Sequence, residues 1–169
     1  MAVQDFDTTL IKNKVICFVG MRVSGKTTQL NSLVSTIVED DTIIINGIDQ
    51  YNEFYEKLDN KQKTVVVLDD FLPKYPNSTT KIIEDILIKC IFNGSTIMMT
   101  TQTTRSVSNT IKNNINYVFV QNRCDIQSVY NTFITNESVS YADFRQAILN
   151  LDDYTSLVIN LNDQTLSLY

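Results

Sequence analysis

Residues 20–27 form the strongest chemical motif of the sequence, a glycine-rich phosphate-binding loop. They read GMRVSGKT, which matches the pattern GxxxxGK[ST] at every defined position. Glycines let backbone N–H groups wrap a phosphate, and the start of a following helix adds the positive end of its dipole. Lys26 supplies a cation for the β- and γ-phosphates, and the Thr27 hydroxyl is a ligand for Mg²⁺. The motif therefore predicts a bound nucleoside triphosphate with Mg²⁺.

The predicted nucleotide-binding set covers the whole loop and the first residues of the helix. Its members are Gly20, Met21, Arg22, Val23, Ser24, Gly25, Lys26, Thr27 and Thr28. Arg22 and Val23 stand where many such loops have a second glycine. The substitution stiffens the loop because residues with a Cβ have less conformational freedom than glycine.

Two adjacent carboxylates follow an apolar run, in the sequence VVVLDD at residues 65–70. An Asp at such a strand end holds Mg²⁺ through water in phosphate-loop proteins, and Asp69 suits this role. Asp70 then lies where a carboxylate can polarise the attacking water as a general base. The pair favours a hydrolase that carries its own base.

A third strand end carries Gln102, directly after TIMMTT at residues 96–101. An amide between the metal site and the γ-phosphate can sense hydrolysis. Arg105, Lys112 and Arg123 follow, and each is a candidate for a cation that stabilises transition-state charge. The predicted catalytic set is Lys26, Asp69, Asp70, Gln102 and Arg105, and the predicted metal ligands are Thr27 and Asp69.

Short β-branched runs alternate with amphipathic stretches, and these elements must position the polar groups. The pattern predicts strands over 14–19, 42–45, 64–68, 96–101 and 117–121, and helices over 26–38, 52–58 and 80–92. Residues 71–79 hold both prolines and are predicted to be a loop, and runs at 157–160 and 165–168 predict a terminal hairpin. Strands that alternate with helices predict a mainly parallel sheet with right-handed crossovers.

Composition is typical of one globular domain. The chain has 169 residues, of which 43% are hydrophobic and 20% charged, so we expect a single domain over 1–169 with an N-terminal extension over 1–12. We expect neither a secretory signal nor a membrane-spanning helix. Histidine is absent, which excludes a histidine base or metal ligand. The three cysteines lack CxxC spacing and predict reduced thiols in a reducing compartment.

Charge is unevenly distributed along the chain. The net charge is -5, which argues against coating of DNA by the whole surface. Residues 71–123 carry six basic and two acidic side chains, whereas residues 124–169 carry one basic and six acidic ones. The basic middle segment is therefore a candidate lining toward DNA phosphates.

In this order, the motifs resemble those of the FtsK/HerA branch of P-loop ATPases. Within this branch the sequence is most similar to genome-packaging ATPases of large DNA viruses of the poxvirus type. The segments 20–27, 65–70 and 96–123 carry the resemblance, and the tail at 140–161 also looks like the ending of these proteins. The likeness extends over residues 12–162.

This resemblance implies a RecA-like (ASCE) P-loop fold, with the strand at 96–101 between the phosphate-loop strand and the acidic strand. It implies an ATP-hydrolysing motor that translocates double-stranded DNA into a viral capsid. The working form would be a hexameric ring with ATP between subunits and a cation supplied by the neighbour. Implied partners are double-stranded DNA and capsid or membrane vertex proteins of a virus, in the host cytoplasm or the virion. In such proteins Arg is more usual where this sequence has Lys112, so Arg105 and Arg123 remain alternatives for the cation.

Two other enzyme classes remain open from the residues. Asn122 to Asp125 mimic the NKxD element with which Ras-like GTPases read guanine, although Leu72 stands where such switches have a glycine. A small nucleoside or nucleotide kinase is the other alternative, and GKTTQL suits it. Kinase lids need clustered arginines, and the four arginines of this chain are widely spaced.

Overall fold

The computed structural model describes residues 4–37, 42–45, 65–69, 78–135 and 139–169. Within these residues eight strands form one sheet: β1 Gln4–Asp5, β2 Val15–Val19, β3 Thr42–Ile45, β4 Val65–Leu68, β5 Thr96–Thr101, β6 Tyr117–Gln121, β7 Ser156–Asn160 and β8 Leu166–Leu168. Their order across the sheet is β1-β8-β7-β6-β2-β5-β4-β3. In the described sheet only β7 is antiparallel to its neighbours.

Helices cover both faces of this sheet. They are α1 Lys26–Ile37, α2 Ser78–Asn93, α3 Asn109–Asn114, α4 Ile126–Phe133 and α5 Tyr141–Leu149. One apolar core lies between the sheet and α1, where Leu30 and Leu33 meet Phe18. The other core lies between the opposite face and the remaining helices. Every residue of β2 is buried, as expected for a parallel strand covered on both faces.

The predicted α/β fold with a mainly parallel sheet is confirmed. β5 pairs with β2 on one side and with β4 on the other, which is the RecA-like order that the resemblance implies. The predicted terminal hairpin is also present, because β7 and β8 pair in antiparallel register.

Most predicted elements agree with the structure within one or two residues. The largest shift is in α2, which begins at Ser78 instead of residue 80 and ends at Asn93. Gly94 follows it with a φ of 66°, the left-handed conformation that commonly ends a helix. The predicted helix over 52–58 and residues 71–77 of the predicted loop lie outside the described residues.

The first residues that the structure describes join the sheet. Gln4 and Asp5 pair in parallel with Ser167 and Leu168 of β8, and Ile11 is fully buried in the core beside α1. At the other end, the backbone of Tyr169 exchanges hydrogen bonds of 2.7 and 3.0 Å with Ser156. The predicted N-terminal extension over 1–12 thus contributes both a strand and a core residue.

Burial controls the chemistry of the three thiols. Desolvation raises the pKa of Cys17, Cys90 and Cys124 to about 12, and the nearby Asp125 carboxylate adds to the effect at Cys124. All three are free cysteines. Because the thiolate is the reactive form, these side chains are unreactive near neutral pH.

In the part of the chain that the structure describes, no helix is both long enough and apolar enough to cross a membrane.

Candidate nucleotide-binding site

The carboxyl ends of three neighbouring strands bring the predicted motifs together. Val19 of β2 is level with Thr101 of β5, and Leu68 of β4 is level with Met99. The residues that follow these strands include the phosphate loop, Asp69 and Gln102. They therefore share one edge of the sheet, the position at which open α/β sheets bind ligands.

Backbone hydrogen bonds hold the start of the loop from both sides. The Gly20 N–H donates to the carbonyl of Thr101 at 3.2 Å, and the Met21 N–H donates to the carbonyl of Arg123 at 2.6 Å. The flanking strands β5 and β6 thus fix where the loop leaves β2.

The ammonium group of Lys26 closes the loop from the side of the helix. Its Nζ donates to the carbonyl of Met21 at 2.8 Å, and the residue is only 7% exposed. The side chain is therefore oriented across the interior of the loop, where the motif requires a cation.

Two hydroxyl groups and one carboxylate meet where the motif predicts the metal. The Thr27 hydroxyl donates to Asp69 Oδ2 at 3.1 Å, and the Thr100 hydroxyl donates to Asp69 Oδ1 at 2.8 Å. Oxygen donors of this kind fit Mg²⁺, which binds through one or two carboxylate or hydroxyl ligands together with water and phosphate. The predicted ligands Thr27 and Asp69 are therefore in direct contact.

Sterics explain the two glycines of the loop. Gly25 has a φ of 93°, which residues with a Cβ rarely adopt. At Gly20 a Cβ would lie 2.5 Å from Ser24 Oγ and 2.9 Å from both Cβ and Cγ of Gln121. Val23 has a φ of 61° although it is β-branched, and it is 89% exposed. The expected stiffness of the loop is thus accompanied by local backbone strain.

Replacing Gly20 by alanine should lower the free energy of unfolding by about 1–3 kcal/mol, because the new methyl group overpacks against buried side chains. Urea denaturation followed by circular dichroism measures this change. Gly94→Ala is a comparison for a different cause of instability, since its Cβ would meet nothing closer than 3.8 Å and any loss there reports the left-handed φ alone. Equal stability of Gly20→Ala and the wild type would contradict the close approach.

A buried polar network lies beneath the loop, and the sequence analysis did not identify it. It consists of Gln29 of α1, Gln121 of β6 and Ser156 of β7, all buried. Gln29 Oε1 accepts from the Ser156 hydroxyl at 2.5 Å and from Gln121 Nε2, which also donates to Ser156 Oγ at 3.0 Å. Gln29 Nε2 donates to the carbonyl of Tyr154 at 2.6 Å. The one sequence signal for this network was Gln121, a polar residue at the end of the apolar strand β6.

Two buried polar atoms at this network have no hydrogen-bond partner among the described residues. They are Ser24 Oγ and Gln121 Oε1. Both lie next to the glycines of the loop, because Ser24 Oγ faces Gly20 and Gln121 Oε1 faces Gly25. Buried unpaired polar atoms in a native structure often mark a functional site.

The three predicted cations occupy different places. Arg105 is exposed on a 3-10 turn, Thr104–Ser106, that begins two residues after Gln102. Arg123 is also exposed, and its carbonyl contacts the loop as described above. Lys112 lies in α3, which leads to Asn116, and the Asn116 N–H bonds to Val15 at the start of β2. Lys112 is therefore near the opposite edge of the sheet from the phosphate loop.

The remaining predicted residues are placed as follows. Gln102 is half-buried at the end of β5, and Thr28 is exposed on the first turn of α1. Asp70 and Leu72 lie outside the described residues. Asp125 caps α4, since its Oδ1 accepts from the Ser128 N–H at 3.1 Å. This capping role accounts for Asp125 without a bound guanine.

Residues 1–158 match the family model nSTAND3, described as Novel STAND NTPase 3. No curated protein sequence matches the chain. Among solved structures, the genome packaging NTPase B204 from Sulfolobus turreted icosahedral virus 2, in complex with AMPPCP, has a TM-score of 0.67 at 13% identity. The match covers 92% of this chain and 96% of that one.

Two further structures have the same fold. B204, the DNA-packaging ATPase from Sulfolobus Turreted Icosahedral Virus, matches with a TM-score of 0.65 at 14% identity over 94% of this chain and 98% of that one. EssC (ATPases 2 and 3) from Geobacillus thermodenitrificans matches with a TM-score of 0.68 at 11% identity, over 94% of this chain but 40% of that one. The likeness to packaging-type P-loop ATPases predicted from the sequence is confirmed for the fold.

Proposed function

Since this chain belongs to the nSTAND3 family of NTPases, we propose that it is a Mg²⁺-dependent ATPase that translocates double-stranded DNA into a viral capsid. The contact of Thr27 and Asp69 at 3.1 Å, beside a loop closed by Lys26, carries the hydrolytic part of this proposal. The packaging part is supported by the likeness in fold to B204, which extends over nearly the full length of both chains.

Each predicted residue has a role in this reaction. The loop N–H groups and Lys26 would hold the phosphates, and Thr27 and Asp69 would hold Mg²⁺. The metal, when bound, neutralises charge that develops on the phosphates. Asp70, the residue after Asp69, accepts a proton from the attacking water. Gln102, next to Thr101 at the edge, couples hydrolysis to movement.

The proposed working form is a hexameric ring in which the neighbouring subunit completes each ATP site. Arg105 suits the role of the completing cation because it is exposed and follows Gln102 by three residues. The basic segment 71–123 would face the DNA phosphates, and the acidic segment 124–169 would lie outward. Capsid or membrane vertex proteins of a virus are the proposed docking partners, in the host cytoplasm or the virion.

The proposal predicts that double-stranded DNA raises the ATP turnover per subunit, because DNA gathers subunits into rings and completes their sites. Steady-state phosphate release with and without DNA measures the turnover, and size-exclusion chromatography measures ring assembly.

Asp70→Asn should still bind ATP but hydrolyse it at least ~100-fold more slowly, the scale expected on loss of a general base.

One control variant and two contrary outcomes test the role of Asp70 and the effect of DNA separately. Asp163→Asn removes a charge from an exposed turn between β7 and β8 and should leave turnover unchanged. A wild-type rate for Asp70→Asn would refute the role of Asp70 as base. If the ATP turnover is the same with and without DNA and the chain stays monomeric, translocation is refuted, whereas the NTPase assignment still holds.

A further inference from the structure

Tyr154 has an unusual conformation beside the phosphate loop. Its φ is 65°, in the left-handed region that a bulky residue rarely adopts, and it is 69% exposed. Its ring borders the loop, since a Cβ built on Gly25 would lie 3.2 Å from Cδ1 and 3.6 Å from Cε1 of Tyr154. A large aromatic side chain is thus held at the surface by a backbone conformation that costs free energy.

The buried polar network fixes this conformation. The carbonyl of Tyr154 accepts the bond from Gln29 Nε2, and Gln29 is itself held by Gln121 and Ser156. The Thr155 N–H donates to the carbonyl of Asp152 at 3.2 Å and closes the turn that carries the tyrosine. These bonds hold the backbone that carries the ring, and the ring, which borders Gly25 on one side, is exposed to another partner on the other.

The sheet order indicates what that partner is. Asp69 follows β4, on one side of β2, and marks the side to which the terminal phosphate and Mg²⁺ would bind. Tyr154 precedes β7, on the other side of β2, because Gln121 of β6 pairs with Ser156. A nucleotide whose phosphates lie in the loop at the end of β2 must extend its base away from Asp69. That direction leads toward the side of Tyr154.

A second contact joins the segments on this side. Asn122 Nδ2 donates to Asp153 Oδ1 at 3.4 Å, which links the end of β6 to the turn before β7. The same β6 segment is tied to the loop through the carbonyl of Arg123. The phosphate loop, the end of β6 and the turn with Tyr154 therefore form one continuous wall.

We propose that Tyr154 stacks on the base of the bound nucleotide, an inference that rests on the proposed nucleotide-binding function. Aromatic rings stack on any base because every base has a π-face. Tyr154 would then contribute affinity for nucleosides in general and would not select between ATP and GTP.

The test compares ligands with and without a base. Calorimetry with Mg²⁺ measures the binding of β,γ-methylene-ATP, β,γ-methylene-GTP and inorganic tripolyphosphate to the wild type, Tyr154→Phe and Tyr154→Gly. Glycine adopts the required φ without strain, so the fold should persist. Tyr154→Gly should bind both nucleotides roughly 5- to 150-fold more weakly and bind tripolyphosphate as the wild type does. Tyr154→Phe should match the wild type for all three ligands.

Each other outcome overturns the inference. Wild-type affinity of Tyr154→Gly for both nucleotides would show that no stacking occurs, and an equal loss for tripolyphosphate would show that Tyr154 only shapes the loop. Tyr154→Asn, which also tolerates a left-handed φ, replaces the glycine variant if thermal melting shows that the latter is unfolded. A wild type that binds neither the nucleotides nor tripolyphosphate would refute the proposed function, and the inference with it.

Discussion

Lys26→Ala should reduce the affinity for ATP at least ~30-fold and abolish measurable hydrolysis. Lys26 is almost fully buried, and its ammonium is already directed across the loop by the bond to the carbonyl of Met21. Removal of one partner from a buried, hydrogen-bonded charge pair typically costs 2–5 kcal/mol, or about 30-fold to several thousand-fold in affinity. Calorimetric titration with a non-hydrolysable ATP analogue measures the loss directly.

Lys81→Ala is the matched control for Lys26→Ala. Lys81 is exposed on α2, so its replacement removes the same charge without touching the loop. In the absence of DNA it should leave the affinity for the ATP analogue unchanged. Affinity of Lys26→Ala within threefold of the wild type would mean that the phosphates do not bind in this loop.

Two inactive variants should recover activity when they are mixed, if Arg105 acts on the neighbouring subunit. Lys26→Ala subunits do not hydrolyse ATP but keep Arg105, whereas Arg105→Ala subunits bind ATP but offer no cation. A cation supplied in trans is worth about 10³–10⁵ in rate, so each variant alone should be nearly inactive. Phosphate release by the mixture should reach about a quarter of the wild-type rate, because random assembly places an acceptor beside a donor at one head-to-tail interface in four.

The same complementation applies to Lys112 and Arg123. Arg105 is the first choice because it is exposed and follows Gln102 by three residues. Recovery with Lys112→Ala or Arg123→Ala subunits in its place would reassign the cation. If no pair recovers activity, and specific activity does not change with protein concentration, the site is self-contained and the ring is unnecessary for chemistry.

The sequence predicts the central strands well because their physical signals are local. In β2 every residue is β-branched, aromatic or a cysteine. The motif GMRVSGKT that follows it is typical of a loop between a buried strand and a helix. The parallel sheet then brings Thr27 and Asp69 together, although they are far apart in sequence. The resemblance, and not the pattern alone, predicts that β5 lies between β2 and β4.

Features that depend on distant contacts were missed. Gln29, Gln121 and Ser156 form their network only after α1, β6 and β7 have packed, and none of them belongs to a motif. α4 and α5 were also not predicted, because they have only 8 and 9 residues and a mixed composition. Their capping residues, Asp125 and Ser140, were the available signals.

The pairing of β1 with β8 determines where a label can be attached to this protein. β8 runs toward the edge of the sheet that carries the phosphate loop, and Tyr169 reaches Ser156 there. β1 runs in the same direction, so the chain enters it from the opposite side. An affinity tag or surface tether joined after Tyr169 would therefore hold the nucleotide edge against the support. One joined ahead of Gln4 would leave that edge facing solvent, which makes the amino end the better attachment point for immobilised binding measurements.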